Sequence, residues 1–448
     1  MTLYEAYAKR LAISESVFAK SHDGEKMDQN RKLVTAKCLE NVNKFMNEAF
    51  ESSQGTQRTD MGLFKKFALN LTTVALPNLI ANDLVIVHPM SSMRGYINYI
   101  QYSFSTKKGD VQPDENGNMP MISNPWGFGD AHVDYTSRKV VEQFEGDGST
   151  KEFTVMWNPV FVEKDKDGKY LALKVTVDGT AVADADITVD SESGKVTLAT
   201  APAEDAVVKV AYAYDNVIVP QANLPMVKAE MKSIALVAKA RRIAIFYSQI
   251  AAYQAKTDYG VDLGDQLAEK AVGELSYEID TEVVNMLAEN AKSDAELVWS
   301  KTLPVGVSKR DHYEGFTEIL AIASQKIYDA TKKFAPNYMI CASNLLPVLS
   351  MISAFKPANT GAINGPYMAG TINGLKVFVS PNVAVGDFIV GVNGSDAMSS
   401  AAVYAPYMAI VPTMLLQYAD GGTTQGWSTL YDLKMLNENL LVKGHITD

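Results

Sequence analysis

The sequence has 448 residues, of which 47% are hydrophobic and 21% are charged, and its formal net charge is −11 at pH 7. This composition is that of a globular chain, and the length predicts several domains or one elaborated fold. The acidic balance argues against a protein that clamps nucleic acid through its whole surface, because neutralising phosphates requires clustered Lys and Arg. Cys38 and Cys341 lie far apart, so they support neither a disulfide scaffold nor a zinc finger, and they favour a reducing compartment.

The N-terminal region is predicted to be helical and to carry no export signal. Its first residues, "MTLYEAYAKRLAIS", mix charges with apolar residues and lack the continuous apolar core of a signal peptide. Within residues 30–50, the spacing predicts an amphipathic helix whose apolar stripe consists of Val34, Cys38, Val42, Phe45 and Ala49. This helix either docks on its own domain or reaches a neighbour as an arm. The polar residues 51–60 are predicted to be a linker.

The segment "ALPNLIANDLVIVHPM", residues 75–90, contains a single charged side chain, Asp83. It is too short to span a bilayer as a helix, which needs about 20 apolar residues. We therefore expect this segment to be buried in protein, as a helix or turn that leads into a buried strand. No membrane partner is expected.

Residues 95–214 are predicted to consist of strands and loops. The stretch "YINYIQYSFST" alternates tyrosines with polar residues, and "KKGDVQPDENGNMP" is rich in turn residues. From residue 144 to residue 214, short strand patterns such as "KYLALKVTVDGTAV" and "DITVDSESGKVTLAT" repeat at regular spacing, separated by Asp-Gly and Ser-Gly turns. This pattern predicts an inserted Ig-like β-sandwich.

Two helices are predicted after the sandwich. The segment "MKSIALVAKARRIAIFYSQIAAYQAKTDYG" is interpreted as a strand that passes into a helix near Ile245. A second helix, of about 25 residues, is indicated by apolar residues at every fourth position. They are Leu263, Leu267, Ala271, Leu275, Ile279, Val283 and Leu287. Asp265 is expected to be the N-cap of this long helix.

The C-terminal part alternates helices and strands. "FTEILAIASQKIYDATKKF" predicts a helix, "NYMICA" a strand, and "TINGLKVFVS" a hairpin around Asn373 and Gly374. Further strands are predicted for "DFIVGVN", "AAVYAPYMAIVPTML" and "STLYDLKMLNENLLVKGHI". The expected fold class is α+β and not a doubly wound sheet.

The sequence contains no motif that predicts catalytic, cofactor-binding or metal-binding residues. The five histidines are scattered, without the i, i+4 pair of an HExxH site: His22, His88, His132, His312 and His445. The phosphate loop and the GxSxG elbow are absent, and "GFGDAH", residues 127–132, lacks the third glycine of a dinucleotide fingerprint. Cys341 is expected in the core, and nothing marks the acid pair Asp184 and Asp186 as tuned. We therefore expect no catalytic residues, no cofactor and no metal, and no enzyme activity.

Two charged segments allow both a functional and a structural interpretation. Residues 165–169, "DKDGK", begin like a calcium loop but lack the downstream oxygen ligands and the closing Glu, so a hairpin turn is expected. Residues 238–242, "AKARR", are the densest positive cluster. They could touch nucleic acid, but a local or intersubunit ion pair is favoured.

The order of these elements resembles that of a known family. The resemblance is carried, in chain order, by "LFKKFALNLTTVALPNLIANDLVIVHPMSSMRGYINYIQYSFS", "MVKAEMKSIALVAKARRIAIFYSQIAAY", "LSYEIDTEVVNML" and "AAVYAPYMAIVP". Over most of residues 60–445, the chain resembles the major capsid protein of T4-type tailed phages. The resemblance implies the HK97 capsid fold. The sandwich departs from the insertion domain of that family and looks more like a generic phage Ig-like module.

The resemblance divides the chain into segments with expected positions in the HK97 fold. They are an N-terminal helical arm and linker (1–60), a segment leading into the peripheral domain (61–94), an extended loop (95–143), the inserted Ig-like sandwich (144–214), the return strand of the loop with a short helix (215–262), the peripheral domain with its spine helix (263–314), the axial domain (315–395) and C-terminal strands of the peripheral domain (396–448). The apolar segment 75–90 is expected to pack beneath the spine helix.

The resemblance also implies a function and a set of partners. The chain would self-assemble into pentamers and hexamers of an icosahedral head that encloses double-stranded DNA without sequence-specific binding. A portal, a scaffold and vertex or decoration proteins would be its partners, and it would reach the virion after assembly in the host bacterial cytoplasm. Two alternatives remain open, namely an encapsulin-like nanocompartment shell and an adhesin whose Ig-like module binds carbohydrate.

Overall fold

The fold is described from a computed structural model. It covers residues 3–21, 25–52, 69, 72–109, 111–132, 135–215, 225–260, 263–358, 365–394, 396, 399–413, 416–418 and 421–447. The chain divides into two compact units. The first consists of Met1–Asn98 and Ser233–Asp448, and the second of Tyr99–Lys232.

The helices and strands mix throughout the described sequence, as the α+β class requires. The α-helices with described bounds are α1 Leu3–Ser21, α2 Gln29–Ser52, α3 Ala81–Leu84, α4 Gln249–Tyr259, α5 Leu263–Asn290, α6 Lys309–Glu314, α7 Phe316–Thr331 and α8 Leu346–Leu349. None of these helices combines the length and apolar character needed to cross a membrane.

The strands fall into five sheets. In chain order, the first twelve are β1 Ile86–Val87, β2 Arg94–Phe104, β3 Met121–Asn124, β4 Gly127–Phe128, β5 Lys139–Asp147, β6 Glu152–Thr154, β7 Lys174–Val177, β8 Thr180–Ala181, β9 Ile187–Asp190, β10 Lys195–Leu198, β11 Glu204–Ala213 and β12 Val227–Val237. The others are β13 Lys239–Ser248, β14 Lys292–Ser300, β15 Tyr338–Ala342, β16 Phe355–Pro357, β17 Tyr367–Ile372, β18 Leu375–Ser380, β19 Asp387–Gly391, β20 Ala402–Pro412, β21 Leu416–Gln417, β22 Gly422–Met435 and β23 Leu441–Thr447.

A seven-stranded sheet in the first unit has the order β14-β23-β19-β15-β18-β17-β16. Its central strands β15 and β19 are buried along their whole length, as their continuous apolar sequences predict. Helix α7 buries one stripe of residues, and its Phe316 ring meets Phe388 of β19 edge to face at 5.3 Å. The predicted hairpin is confirmed. Asn373 and Gly374 both have positive φ, which suits a two-residue turn between β17 and β18.

The second sheet of this unit has the order β1-β20-β22-β13, with β21 also pairing with β22. Helix α5 packs on it through Ala271 and Leu275, which contact Ile410 of β20 and Trp427 of β22. The stripe predicted for this helix is buried from Ala271 to Leu287. Thus α5 and this sheet share one core.

Helix α2 confirms the amphipathic prediction and packs on its own chain. Its Leu39, Val42 and Met46 join a cluster with Met408 of β20. Of the predicted stripe, Val34, Cys38 and Val42 are buried, whereas Phe45 keeps 43% of its surface exposed and was predicted wrongly. The side chain of Ala49 lies outside the described part of the structure. With 3.6 residues per turn, the buried stripe drifts around the helix and takes in the neighbouring Met46 instead.

The apolar segment 75–90 is buried, as the sequence predicts. A 3-10 turn at Leu76–Asn78 leads into the short helix α3 and then into β1, which pairs in parallel with β20. Leu84 and Val85 are fully buried. The described residues thus show a turn and a helix that lead into a buried strand.

The second unit contains two antiparallel sheets that share one apolar core. One sheet has the order β6-β10-β9 and the other β5-β11-β7-β8. Trp157, Val175, Val196 and Val210 are among the buried residues between them. The strands before and after residues 139–214 pair with one another in a four-stranded sheet of order β12-β2-β3-β4.

Two predicted helix starts were wrong. The strand β13 continues through Ile245 to Ser248, whose side chain caps α4 by accepting a hydrogen bond from the Ile250 N–H at 3.3 Å. Helix α5 begins at Leu263, so Asp265 lies inside its first turn and is not the N-cap. An acid in the first turn favours the helix through its dipole without capping it, and such a pattern is easily read as a cap.

Candidate assembly surfaces

The cysteines do not have the environment of nucleophiles. Cys38 lies on α2 and Cys341 on β15, and both are completely buried and unpaired. Burial raises the pKa of each thiol to about 12. Because the thiolate is the reactive form, both behave as small core residues at neutral pH.

The histidines are as dispersed in the structure as in the sequence. His88 is partly buried, which lowers its pKa. His312 stacks on Trp299 at 4.9 Å, and His445 contacts the Asp387 carboxylate at 2.7 Å. His22 lies outside the described residues. Among the residues that the structure describes, no three His, Cys, Asp or Glu side chains are grouped as they would be around a metal ion.

The charged segments take structural roles where the structure describes them. Residues 165–169 form a hairpin turn, closed by a hydrogen bond from the Asp165 N–H to the Lys169 carbonyl at 2.7 Å. In the basic cluster, Arg241 of β13 contacts Glu282 of α5 at 2.5 Å, and Tyr431 donates a hydrogen bond to the same carboxylate. The hairpin turn and the ion pair were both predicted from the sequence.

A buried carboxylate that the sequence did not reveal lies between α5 and α3. Asp280 accepts hydrogen bonds from the backbone N–H groups of Ala81, at 2.9 Å, and Ile80. Burial, with a smaller contribution from the nearby charge of Asp83, raises its pKa to about 7 against the lowering effect of these bonds. Acids on a helix are usually exposed, so nothing in the sequence distinguished Asp280 from its neighbours.

A polar cleft of about 310 Å³ lies beside this junction, between α2 and the end of the seven-stranded sheet. Asp83 lies in its wall and forms an ion pair with Arg31 of α2 at 2.5 Å. Lys376 of β18 approaches the same carboxylate at 3.7 Å. The charge of Asp83 is thus balanced by two cations of the same chain. The cleft is therefore a junction between elements of one chain.

One exposed apolar surface of the first unit lies on α4 and the adjoining strands. None of the eleven residues of α4 is buried, and Ile250 and Tyr253 keep 71% and 73% of their surface exposed. On the sheet beside it, Thr424 of β22 is paired with Phe246 of β13 on one side and with Leu416 of β21 on the other. Residues paired across strands share a face, so all three side chains point the same way. We call Phe246, Ile250, Tyr253 and Leu416 the α4 patch.

Exposed apolar residues also occur at two other places. In the loop after β14, Leu303 and Val307 are exposed and Val305 is fully exposed. In the second unit, Tyr102 of β2 and Met231 of β12 are exposed, the latter by 77%. The sequence signal was available in the alternating "TLPVGV" and "YINYIQY", but exposure itself is a property of the fold.

Together, these surfaces define a class of protein. Contiguous exposed apolar residues on a folded chain are typical of surfaces that other protein molecules cover. An α+β chain with several such surfaces, at different places, is typical of a subunit of a larger assembly.

The particular family follows from the sequence. A model of the family "Major capsid protein Gp23" matches residues 61–442, and the chain belongs to this family. The resemblance stated above is thereby confirmed. The chain is a major capsid protein of a tailed bacteriophage, a structural protein with an α+β capsid fold that assembles with its own copies into the shell of the virion.

Comparison with solved structures finds chains from phages and from an encapsulin complex at low similarity. A chain from Microbacterium phage Oxtober96 has 15% identity, with 52% of this chain and 80% of that chain covered and a TM-score of 0.33. A chain from Mycobacterium phage Che8 has 12% identity, with 66% and 92% covered and a TM-score of 0.35. The holo-SrpI encapsulin complex from Synechococcus elongatus PCC 7942 has 11% identity, with 52% and 79% covered and a TM-score of 0.32.

No curated protein matches the chain. The family assignment therefore rests on the sequence match over residues 61–442.

Proposed function

We propose that the chain forms pentamers and hexamers that close into an icosahedral head around double-stranded DNA. The observation that carries this proposal is the set of exposed apolar surfaces at separate places, at α4, at the loop after β14 and along β2 and β12. Several different interfaces on one chain are what rings of five and six subunits, and the contacts between rings, require. The Gp23 family gives such a subunit its place in a phage head.

We also propose the HK97 arrangement of segments for this chain. Helix α5 would be the spine helix of the peripheral domain, 263–314, and the seven-stranded sheet would supply much of the axial domain, 315–395. The strands β2 and β12 would form the extended loop, 95–143, with its return strand. The long buried stripe of α5 and the length of β2, eleven residues, support these roles.

The remaining segments follow from the same arrangement. Residues 1–60 would be the arm, 61–94 would lead into the peripheral domain, and 396–448 would return to it. Residues 144–214 would be an Ig-like domain inserted on the loop. Its two antiparallel sheets around a buried Trp157 support that assignment.

The acidic character of the chain supports a head that encloses DNA without gripping it. A net charge of −11 would leave packaged DNA free to slide along the wall. In this proposal the subunit has no enzymatic role, meets a portal, a scaffold and vertex or decoration proteins, and assembles in the host bacterial cytoplasm.

The proposal is tested by purifying the recombinant protein and measuring particle size by light scattering, followed by electron micrographs of the same sample. Closed shells, or rings and tubes of five-fold and six-fold units, are the expected result. DNA inside shells formed during infection would support the phage head. Cargo protein in place of DNA would favour an encapsulin-like compartment. A persistent monomer whose second unit binds glycans would favour an adhesin.

A further inference from the structure

The four-stranded sheet of the second unit has one face toward its core and one toward solvent. Val175 and Val210 lie opposite each other and enter the core. Because side chains alternate along a strand, their neighbours point outward. The pairing register places on this outward face, among others, Lys139, Val141, Gln143, Lys174, Thr176, Lys209 and Ala211.

Three of these residues are lysines, and we call Lys139, Lys174 and Lys209 the lysine face. All three are exposed, and none forms an ion pair with any described residue. Of the acids of β5, Glu145 lies on the same face as a diagonal neighbour of Lys209, and Asp147 lies one step further along the strand. In a chain with an excess of acidic residues, this is a locally basic surface.

Small residues between the lysines keep the face flat. Ala211 lies opposite Lys174, and Thr176 lies opposite Lys209. The two lysines are therefore diagonal neighbours on adjacent strands, roughly 7–8 Å apart at their backbones. A partner with two carboxylates at similar spacing can reach both ammonium groups at once.

Helix α5 carries such a pair of carboxylates. Glu274 and Glu278 are exposed, one helical turn apart, which places them about 6 Å from each other along the axis. Neither forms an ion pair with a described residue. Like charges at this spacing repel each other and destabilise a helix unless cations compensate them. We call these two residues the glutamate pair.

We propose that the lysine face of one copy docks on the glutamate pair of a neighbouring copy. The charges are opposite and their spacings agree, and every copy carries both surfaces, so the contact repeats head to tail around a ring. Nucleic acid is a poorer occupant, because three lysines neutralise few phosphates. This inference rests on the proposed assembly and adds one of its contacts.

The test uses charge reversal in the full-length protein. Lys174→Glu with Lys209→Glu, and Glu274→Lys with Glu278→Lys, should each lower the yield of closed shells by about tenfold or more at low salt, because like charges then face each other. Combining all four substitutions in one chain should restore shells. Mixing the two double variants should restore six-membered rings and tubes of them, in which the variants alternate and opposite charges meet at every contact, but not five-membered rings, where two like copies must adjoin.

A matched control lies in the same unit. Lys166→Glu with Lys169→Glu changes the net charge equally, but in the exposed hairpin turn, whose residues are not part of the lysine face, and should leave the shell yield unchanged. Far-ultraviolet circular dichroism and thermal melting establish that each variant folds. Because variants are compared with the wild-type chain in the same buffer, absence of wild-type shells contradicts the proposed function, whereas wild-type shells with unaffected reversals contradict this contact.

Two other results would overturn the contact. If the four substitutions restore shells in one chain but the mixture of double variants forms neither six-membered rings nor tubes, the pairing lies within one copy. If Lys174→Glu with Lys209→Glu assembles normally but fails to retain DNA, the lysine face serves nucleic acid.

Discussion

Helices α4 and α5 follow each other in the chain, but they use their apolar residues in opposite ways. Helix α5 buries Leu275 and Val283 against the sheet of its own chain. Helix α4 has no buried residue and exposes Ile250 and Tyr253. Apolar residues on a helix therefore indicate a surface that will be covered, but they do not indicate which molecule covers it. In α5 the covering surface is intramolecular, and in α4 we expect it to come from a neighbour.

The largest expected effect is a loss of stability on truncating a buried residue of α5, which we compare with the same kind of truncation in α4. Leu275→Ala should lower the free energy of unfolding by about 2–5 kcal/mol, because it opens a cavity between α5 and Trp427. Ile250→Ala should change it by about 0.5 kcal/mol or less, because the side chain is exposed. Urea unfolding of the unassembled chain measures both. Equal losses would show that α4 is packed within its own chain after all.

The second prediction concerns the buried acid of α5. The pKa of Asp280 rises from an ordinary value of 3.8 to about 7 on folding. The folded chain therefore holds this proton more tightly than the unfolded chain. The stabilisation is fully present below pH 3.8 and is lost as the pH rises to about 7, with a slope of at most about 1.4 kcal/mol per pH unit.

Asp280→Asn removes this titration. The variant should gain stability relative to the wild-type chain as the pH rises from 4 to 7, and the difference should level off above pH 7. Unfolding curves at several pH values measure it, with the exposed Asp329→Asn on α7 as a control that should leave the pH dependence intact. A constant difference between variant and wild type at all pH values would refute the buried titration.

A smaller effect is expected from the ion pair that joins α5 to β13. Glu282→Gln keeps the size of the side chain and its acceptor for Tyr431 but removes the charge facing Arg241. Because the pair is partly exposed, the loss should be about 1 kcal/mol or less, and it should shrink in high salt. A loss independent of salt would assign the stability to packing.

The smallest effect on stability should accompany a large effect on assembly. Tyr253→Ser in the α4 patch should leave the free energy of unfolding within about 0.5 kcal/mol of the wild-type value. Shell formation, followed by light scattering, should fall sharply, because the exposed ring would no longer be buried by a neighbour. Shells at the wild-type yield would remove α4 from the list of interfaces.

The predictable part of this fold is the part governed by local spacing. The stripe on α5, the hairpin at Asn373 and Gly374, and the buried segment 75–90 all followed from periodicity or turn chemistry. Helix starts at Gln249 and Leu263 were misplaced, since caps depend on one or two residues whose geometry the spacing does not fix. Asp280 could not be singled out, because only the arrival of α3 beside it removes its water.

The α+β class, the absence of recognisable catalytic motifs and, through its resemblance, the capsid family could all be inferred from the amino-acid sequence. These properties depend on the order and periodicity of residues along the chain, which a sequence displays directly. Only the tertiary structure decided which apolar side chains stay exposed, which lysines share a face with Lys174, and why Asp280 has a raised pKa. Burial, register and electrostatic environment arise from contacts between residues far apart in the chain, and a linear pattern does not contain them.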